Sequence, residues 1–310
     1  MTLRCSDGAA VRGDPRLGTA PPQGQWLLVE HPAPWPVTAP FDADLPTDLL
    51  RRLGHPALRT LFIRRHGREG APDRLAGPRR WFLCRDGRLR TGLWREPDDL
   101  LESLSPDGGE AHAGPLLLVC THGVHDVCCA VKGRPVAQSL SRRWPEETYE
   151  CSHLGGDRFA PNVLVLPDLA CYAGMAPERA VAIIEAHLQG RVDVSWLRGV
   201  AGLHPAEQVA IGAVLERWGP TAIAGLETRL VRQEGTFDSG TWTVEVSGHR
   251  PLPGRARIVV ASSRQAEEAR LTCRAERDTR SLRWDVVSTE FLGDIPMRTQ
   301  TGAGSVRQAT

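Results

Sequence analysis

Apolar periodicity writes one element order twice in the first two hundred residues. Short apolar runs bounded by turn residues predict strands, and apolar residues three and four apart predict helices. The first set is a strand at 26–30, a helix at 44–53 carried by Leu45, Leu49, Leu50 and Leu53, and strands at 61–65, 81–85 and 89–94. Asp86-Gly87 supplies the turn between the last two, and a helix at 97–104 closes the set. After a linker at 105–114 the order recurs: strand 115–120, helix 134–144, strands 148–152, 162–166 and 171–173, helix 177–188. In that last helix Val181, Ile183, Ile184 and Leu188 mark a buried face, with Pro177 suited to the first turn and Gly190 to the end.

This β-α-β-β-β-α order is that of a thioredoxin-like sheet with helices packed on it, and its return after roughly 90 residues points to a duplication. The expected fold class is therefore α/β, with two tandem thioredoxin-like units at 1–108 and 109–199. The remainder differs in kind. A helix at 205–218 precedes strand-like runs at 241–246, 257–260, 270–273 and 282–287, which predict a small α+β domain over 200–292. Residues 293–310 are polar and without period, as in a flexible tail.

Composition removes several function classes. The 310 residues are 41% apolar and 24% charged, values of a globular chain and not of a disordered or fibrous one. Lys+Arg 38 against Asp+Glu 37 leaves no general phosphate-neutralising surface, so no nucleic-acid partner is expected. Apolar runs such as 116–120 are far shorter than the roughly 20 residues that span a bilayer, and the start MTLRCSDG lacks an apolar signal core. No membrane association is expected, and the expected location is cytoplasmic.

The chemistry lies in the cysteines. There are 8, too few for a disulfide scaffold at this length, yet Cys120, Cys128, Cys129 and Cys151 crowd into one short stretch. Cys120 ends an apolar strand, and a loop at 121–127 returns the chain to Cys128 and Cys129 at the approach to a helix. A second strand ends in Cys151 and His153, which at i and i+2 share one face of the pleat. Asp157 follows beyond Gly155 and Gly156, whose freedom permits a tight turn and close backbone approach. Thiolates, an imidazole and a carboxylate make a ligand set suited to iron or zinc. The same residues also fit buried structural cysteines, or a vicinal redox pair at Cys128-Cys129.

The segment C-T-H-G-V-H-D-V-C-C with S-H-L-G-G-D-R-F-A-P-N resembles the sucrase/ferredoxin-like family, relatives of the fungal actin-patch-distal protein that resemble thioredoxin-like 2Fe-2S ferredoxins. The resemblance extends to LGTAPPQGQWLLVEHPAPWP and to WLRG, so it spans roughly residues 5 to 199. It implies a 2Fe-2S cluster held by two cysteines that flank the first loop and two histidines of an H-x-x-x-H segment. Carried over, Cys120 and His153 are ligands and Cys129 best matches the second cysteine. Asp157 stands where the family has its second histidine. Motif position favours Asp157 as fourth ligand, thiolate softness favours Cys151, and the balance leans narrowly to Cys151, with loss of the cluster as the third alternative. An oxidised core of about +2 leaves about −1 with either set, so the potential is expected between the plant-type value near −400 mV and Rieske values.

Other residues carry plainer expectations. His122 and His125 read as solvated loop histidines, and Arg158 equally as a cation stabilising the reduced cluster or as a surface or ion-pairing arginine. Cys84 and Cys171 read as inert core. Cys5 falls in a mobile start, and Cys273 in a strand of the last domain. In the first unit Glu30-His31-Pro32 stands where Cys120-Thr121-His122 does in the second, which marks it as a structural half. The resemblance thus implies a one-electron carrier, more than an enzyme, serving an unidentified redox partner protein. The alternatives are a structural zinc or metal-free interaction protein, and a thiol-disulfide enzyme using Cys128-Cys129.

Overall fold

The computed structural model describes residues 3–32, 34–43, 45–54, 56–67, 77–103, 105, 108–249, 252 and 254–293; nearly all of the expected tail lies outside them. Among the described residues there are six helices: α1 (Cys5–Arg12), α2 (Thr47–Leu53), α3 (Pro97–Ser103), α4 (Val127–Arg143), α5 (Pro177–Leu188) and α6 (Pro205–Trp218). The first four strands are β1 (Gln25–Glu30), β2 (Leu58–Arg64), β3 (Arg79–Arg85) and β4 (Arg88–Trp94), followed by β5 (Glu110–Ala111). Then come β6 (Leu116–Cys120), β7 (Thr148–Cys151), β8 (Asn162–Leu166), β9 (Ala170–Ala173) and β10 (Leu197–Val200). These ten make one mixed sheet in the order β10-β9-β8-β6-β7-β2-β1-β3-β4-β5, so the two predicted sets share a single sheet.

Pairing inside that sheet follows one scheme twice. β1 runs parallel to β2 and antiparallel to β3, which pairs antiparallel with β4. β6 likewise runs parallel to β7 and antiparallel to β8, which pairs antiparallel with β9. The halves meet where β2 pairs antiparallel with β7, through Ile63↔Cys151 and Arg64↔Glu150. One row across four strands therefore reads Glu30, Ile63, Cys151, Cys120.

Alternation sorts the two faces. Leu116, Leu118 and Cys120 join Trp26, Leu28, Leu61, Ile63 and Phe82 in one inner core built by both halves. The sheet curls over this core, bringing the Phe82 ring of β3 within 5.6 Å of Tyr149 on β7. The opposite face is covered by helices: Leu117 and Val119 pack with Val136 and Leu140 of α4 and Ile183 and Ile184 of α5, and Val29 and Phe62 with Leu49 and Leu53 of α2.

Beyond the sheet, α6 lies on an antiparallel four-stranded sheet of β11 (Glu227–Thr236), β12 (Ser239–Ser247), β13 (Arg255–Arg264) and β14 (Leu282–Gly293). Val209 and Val214 of α6 pack there with Trp242, Val244, Ile258 and Trp284. No helix among the described residues is long and apolar enough to cross a membrane.

Several elements depart from expectation. α4 starts at Val127, not at 134, because the Asp126 side chain caps it by accepting from the Cys128 N–H; Pro135 lies inside the helix. The expected strand at 270–273 is a turn. β10 and β11 escape notice because β10 has only four residues and β11 is exposed along most of its length. Residues 5–12 are helical and Cys5 is buried at 2% exposure, where the sequence suggests a mobile start.

The junction between the halves is held by a buried carboxylate. Glu150 accepts from Arg64 Nε at 2.9 Å and from Thr121 Oγ1 at 3.0 Å, and faces His66 Nδ1 at 2.8 Å. Glu150→Ala leaves that cluster without its anion and should destabilise the fold by about 3 kcal/mol, read from urea midpoints. Glu146→Ala, at an exposed carboxylate, should cost within about 0.5 kcal/mol.

Candidate metal centre

β6 delivers Cys120 to the end of a strand in the middle of the sheet, and the chain must turn at once to start α4. Asp126 fixes where the helix begins, so Cys129 falls in its first turn, facing Cys120. One turn further, Gly133 lies against β6. A Cβ on Gly133 would stand 2.1 Å from the Cys120 carbonyl oxygen, so only glycine lets helix and strand approach this closely.

The second arm comes from β7. The strand ends at Cys151, so His153 lies beyond the pleat on which the i, i+2 pairing rests, and Cys151 is absent from the groups that His153 joins. Gly155 and Gly156, at φ 84° and 78°, reverse the chain into a short 3-10 turn at Asp157–Phe159. That reversal returns Asp157 to the first arm. Its Oδ1 lies 3.4 Å from Cys129 Sγ and 3.2 Å from His153 Nδ1.

The structure thus brings Cys120, Cys129 and His153 together, their ligand atoms all within 4.8 Å of one another. Asp157 adjoins them, and with His125 and His153 it makes an overlapping group at the same limit. Cys151 belongs to neither group. It stays in the inner core beside Cys120, in the row position that Ile63 takes in the first half. Cys128 points away from Cys129, toward Cys5 and Cys273.

Charge separates the members. Cys120 is held well below the usual thiol range, first by the hydrogen-bonded Cys129 thiol and then by His153, against the effect of burial. Burial pushes His153 down, but the Asp157 carboxylate and the Cys120 sulfur outweigh it and bring it up to about 9. Burial would raise Asp157, and His153 keeps it below the usual carboxylate range. Burial pushes Cys151 well up, as suits a neutral thiol in an apolar core.

The loop histidines are not solvated as expected. His122 is 2% exposed and donates from Nε2 to the Pro36 carbonyl at 2.8 Å. His125 donates from Nδ1 to Val37 O at 3.0 Å and stacks on His153 with ring centroids 3.6 Å apart. Both partners come from the loop after β1, so the first half roofs the site. His125 and His153 line a cleft of about 340 Å³ with Val37, Phe41 and Arg59.

Two cations that sequence reasoning passes over hold the second arm. Arg59 on β2 donates to His153 O at 2.8 Å. Arg198 on β10, 3% exposed, donates to Gly155 O at 2.9 Å and Asn162 Oδ1 at 2.8 Å, and also to Thr19 O. Arg158 follows its ion-pairing reading, with Nε 3.3 Å from Oδ2 of Asp14. The expected strand begins at 61 and β2 at Leu58, so Arg59 falls just outside the strand read from sequence.

The profile of the sucrase/ferredoxin-like family matches residues 17–199. The chain belongs to this family. Among solved structures it is similar to the wild-type thioredoxin-like [2Fe-2S] ferredoxin from Aquifex aeolicus, at 22% identity over 28% of this chain and 97% of that one, with a TM-score of 0.24. A cysteine-to-serine variant of that ferredoxin is similar at 21% identity over 27% and 97% of the two chains, again with a TM-score of 0.24. No curated protein matches the sequence.

Gly133→Ala tests how the site is positioned. The methyl group meets backbone, so helix or strand must shift; the fold should lose about 1–3 kcal/mol despite about 1 kcal/mol gained in helix propensity. A urea midpoint equal to that of the unmodified protein would show that α4 does not seat on Cys120.

Proposed function

We propose that this member of the sucrase/ferredoxin-like family holds a 2Fe-2S cluster on Cys120, Cys129, His153 and Asp157 and carries single electrons for a redox partner protein. The observation that carries the reading is the convergence of the family's cysteine loop and S-H-L-G-G-D segment on one buried point. The donor set suits such a group. His153 Nδ1 is buried and lacks an aligned hydrogen-bond partner, its contact with Asp157 being one of charge. Cys120 is held well below the usual thiol range, in the direction that thiolate ligation needs. Bound there, a cluster would supply one reversible electron.

The chain's own residues prepare the site for that role. Arg59 and Arg198 place positive charge beside a centre of about −1, which favours the reduced state. His125 and His153 meet solvent at the cleft, the face open to a partner, while the roof of Pro36 and Val37 limits access to the sulfurs. Cys128 and Cys129 turn into different clusters, so the thiol-disulfide alternative gains nothing from the geometry. We read the repeated pairing scheme as two thioredoxin-like units at 1–108 and 109–199, the first degenerate, with a small α+β domain over 200–292. Asp14 and Gly18 of the amino-terminal stretch pack on the second unit, through Arg158 and Arg198.

Protein purified without oxygen should be red-brown, with about two irons and two sulfides per chain. A colourless, iron-free protein overturns the reading. Cys120→Ser and Cys129→Ser should lose the visible spectrum, whereas Cys84→Ser and Cys171→Ser should keep it.

The fourth ligand is tested by comparing Cys151→Ala, expected to keep the cluster, with Asp157→His, expected to keep it and to raise its potential as the charge moves from about −1 to about 0. Loss of the cluster in Cys151→Ala would assign the position to Cys151.

A further inference from the structure

Three cysteines left unused by the iron–sulfur reading meet from opposite ends of the chain. Cys5 Sγ lies 3.6 Å from Cys128 Sγ and 3.4 Å from Cys273 Sγ, and the sulfurs of Cys128 and Cys273 are 3.3 Å apart. The Asp126 carboxylate completes the group, its oxygens 3.8 and 3.9 Å from Cys5 Sγ. All four residues offer ligand atoms within 4.8 Å of one another, and Cys5, Asp126 and Cys128 are buried. Sequence separations of 123, 145 and 268 residues mean that only tertiary structure assembles this group.

The geometry is that of one small ion's ligand shell. Zinc–sulfur bonds of about 2.3 Å in a tetrahedron set sulfurs about 3.8 Å apart, slightly beyond the three spacings found here. A disulfide would use two of the sulfurs, bonded at about 2.05 Å, and strand the third beside a buried carboxylate. A single ion uses all four donors.

The backbone beside the sulfurs also favours bound anions. Cys5 is the first residue of α1 and Cys128 the second of α4, so two helix N-termini direct their positive ends at the sulfurs. Asp126 is held rigidly: Oδ1 accepts from Cys128 N at 2.8 Å and Oδ2 from Cys273 N at 2.6 Å.

We propose that Cys5, Cys128, Cys273 and Asp126 form a second metal site, a structural zinc site separate from the Cys120–Cys129–His153 group. Zinc binding releases the thiol protons to solvent and changes no oxidation state. The ion staples α1 and the turn before β14 to the start of α4, and so fixes Cys129 one residue from Cys128. The site does not depend on the identity of the first centre.

The test is metal analysis of the full-length protein grown with zinc and iron and purified without oxygen. It should hold about one zinc per chain, falling at least about tenfold in Cys5→Ser and in Cys273→Ser. That count is expected whether or not iron is found, so failure of the iron–sulfur reading is visible separately. Cobalt titration of metal-stripped Cys120→Ser/His153→Ala protein should give the ligand-field bands of a tetrahedral thiolate site at about one equivalent, which keeps the proposal testable should a Cys5 or Cys273 variant fail to fold. Three results overturn it: no zinc in the unmodified protein; zinc retained in Cys273→Ser but lost in Cys120→Ser; or a disulfide among these cysteines in the oxygen-free preparation.

Discussion

The contact between Gly133 and the Cys120 carbonyl sets the distance between α4 and β6, and the rest of the site is built on it. A helix seated one methyl group further out would separate the first-turn Cys129 from the strand-end Cys120. Glycine and proline inside one helix both oppose helix formation, by about 1 and 3 kcal/mol. The helix forms nonetheless because Asp126 caps it and Val136, Ala137 and Leu140 bury against the sheet. Local propensity yields here to a tertiary requirement.

The second constraint is electrostatic. A half-buried imidazole, a buried carboxylate and a low-lying thiol need compensation, and β2 and β10 supply it with Arg59 and Arg198, which bond the backbone of the turn and not the ligands themselves. Those hydrogen bonds hold the di-glycine reversal in place while the guanidinium charge faces the sulfurs. Positioning and charge balance come from the same two side chains.

The start of α4 serves two clusters at once. Adjacent helical residues project about 100° apart at 3.6 residues per turn, so Cys128 and Cys129 cannot face one point. Cys129 turns inward to Cys120, and Cys128 turns outward to Cys5 and Cys273. A vicinal pair that reads as one redox unit in sequence is thereby divided between two sites. The sheet divides its rows similarly. Cys151 takes the position matched by Ile63 in the other half, and shares that residue's apolar surroundings.

Sequence alone determined the periodic elements: β8, α5 and α6 lie where their apolar spacing puts them, and most other strands agree within a few residues. It also placed Cys120, the Cys128-Cys129 pair, Cys151, His153 and Asp157 in one stretch, with the lean to Cys151 over Asp157, because strand ends, loop length and paired glycines are local properties. Tertiary structure decided what depends on distant partners. It joined the two halves into one sheet through β2 and β7, roofed His122 and His125 with a loop from the first half, and buried Arg198 beside the turn. It also gathered Cys5 and Cys273, whose local sequence shows neither period nor motif. Their packing is set by contacts more than a hundred residues away, and no short-range pattern encodes such contacts.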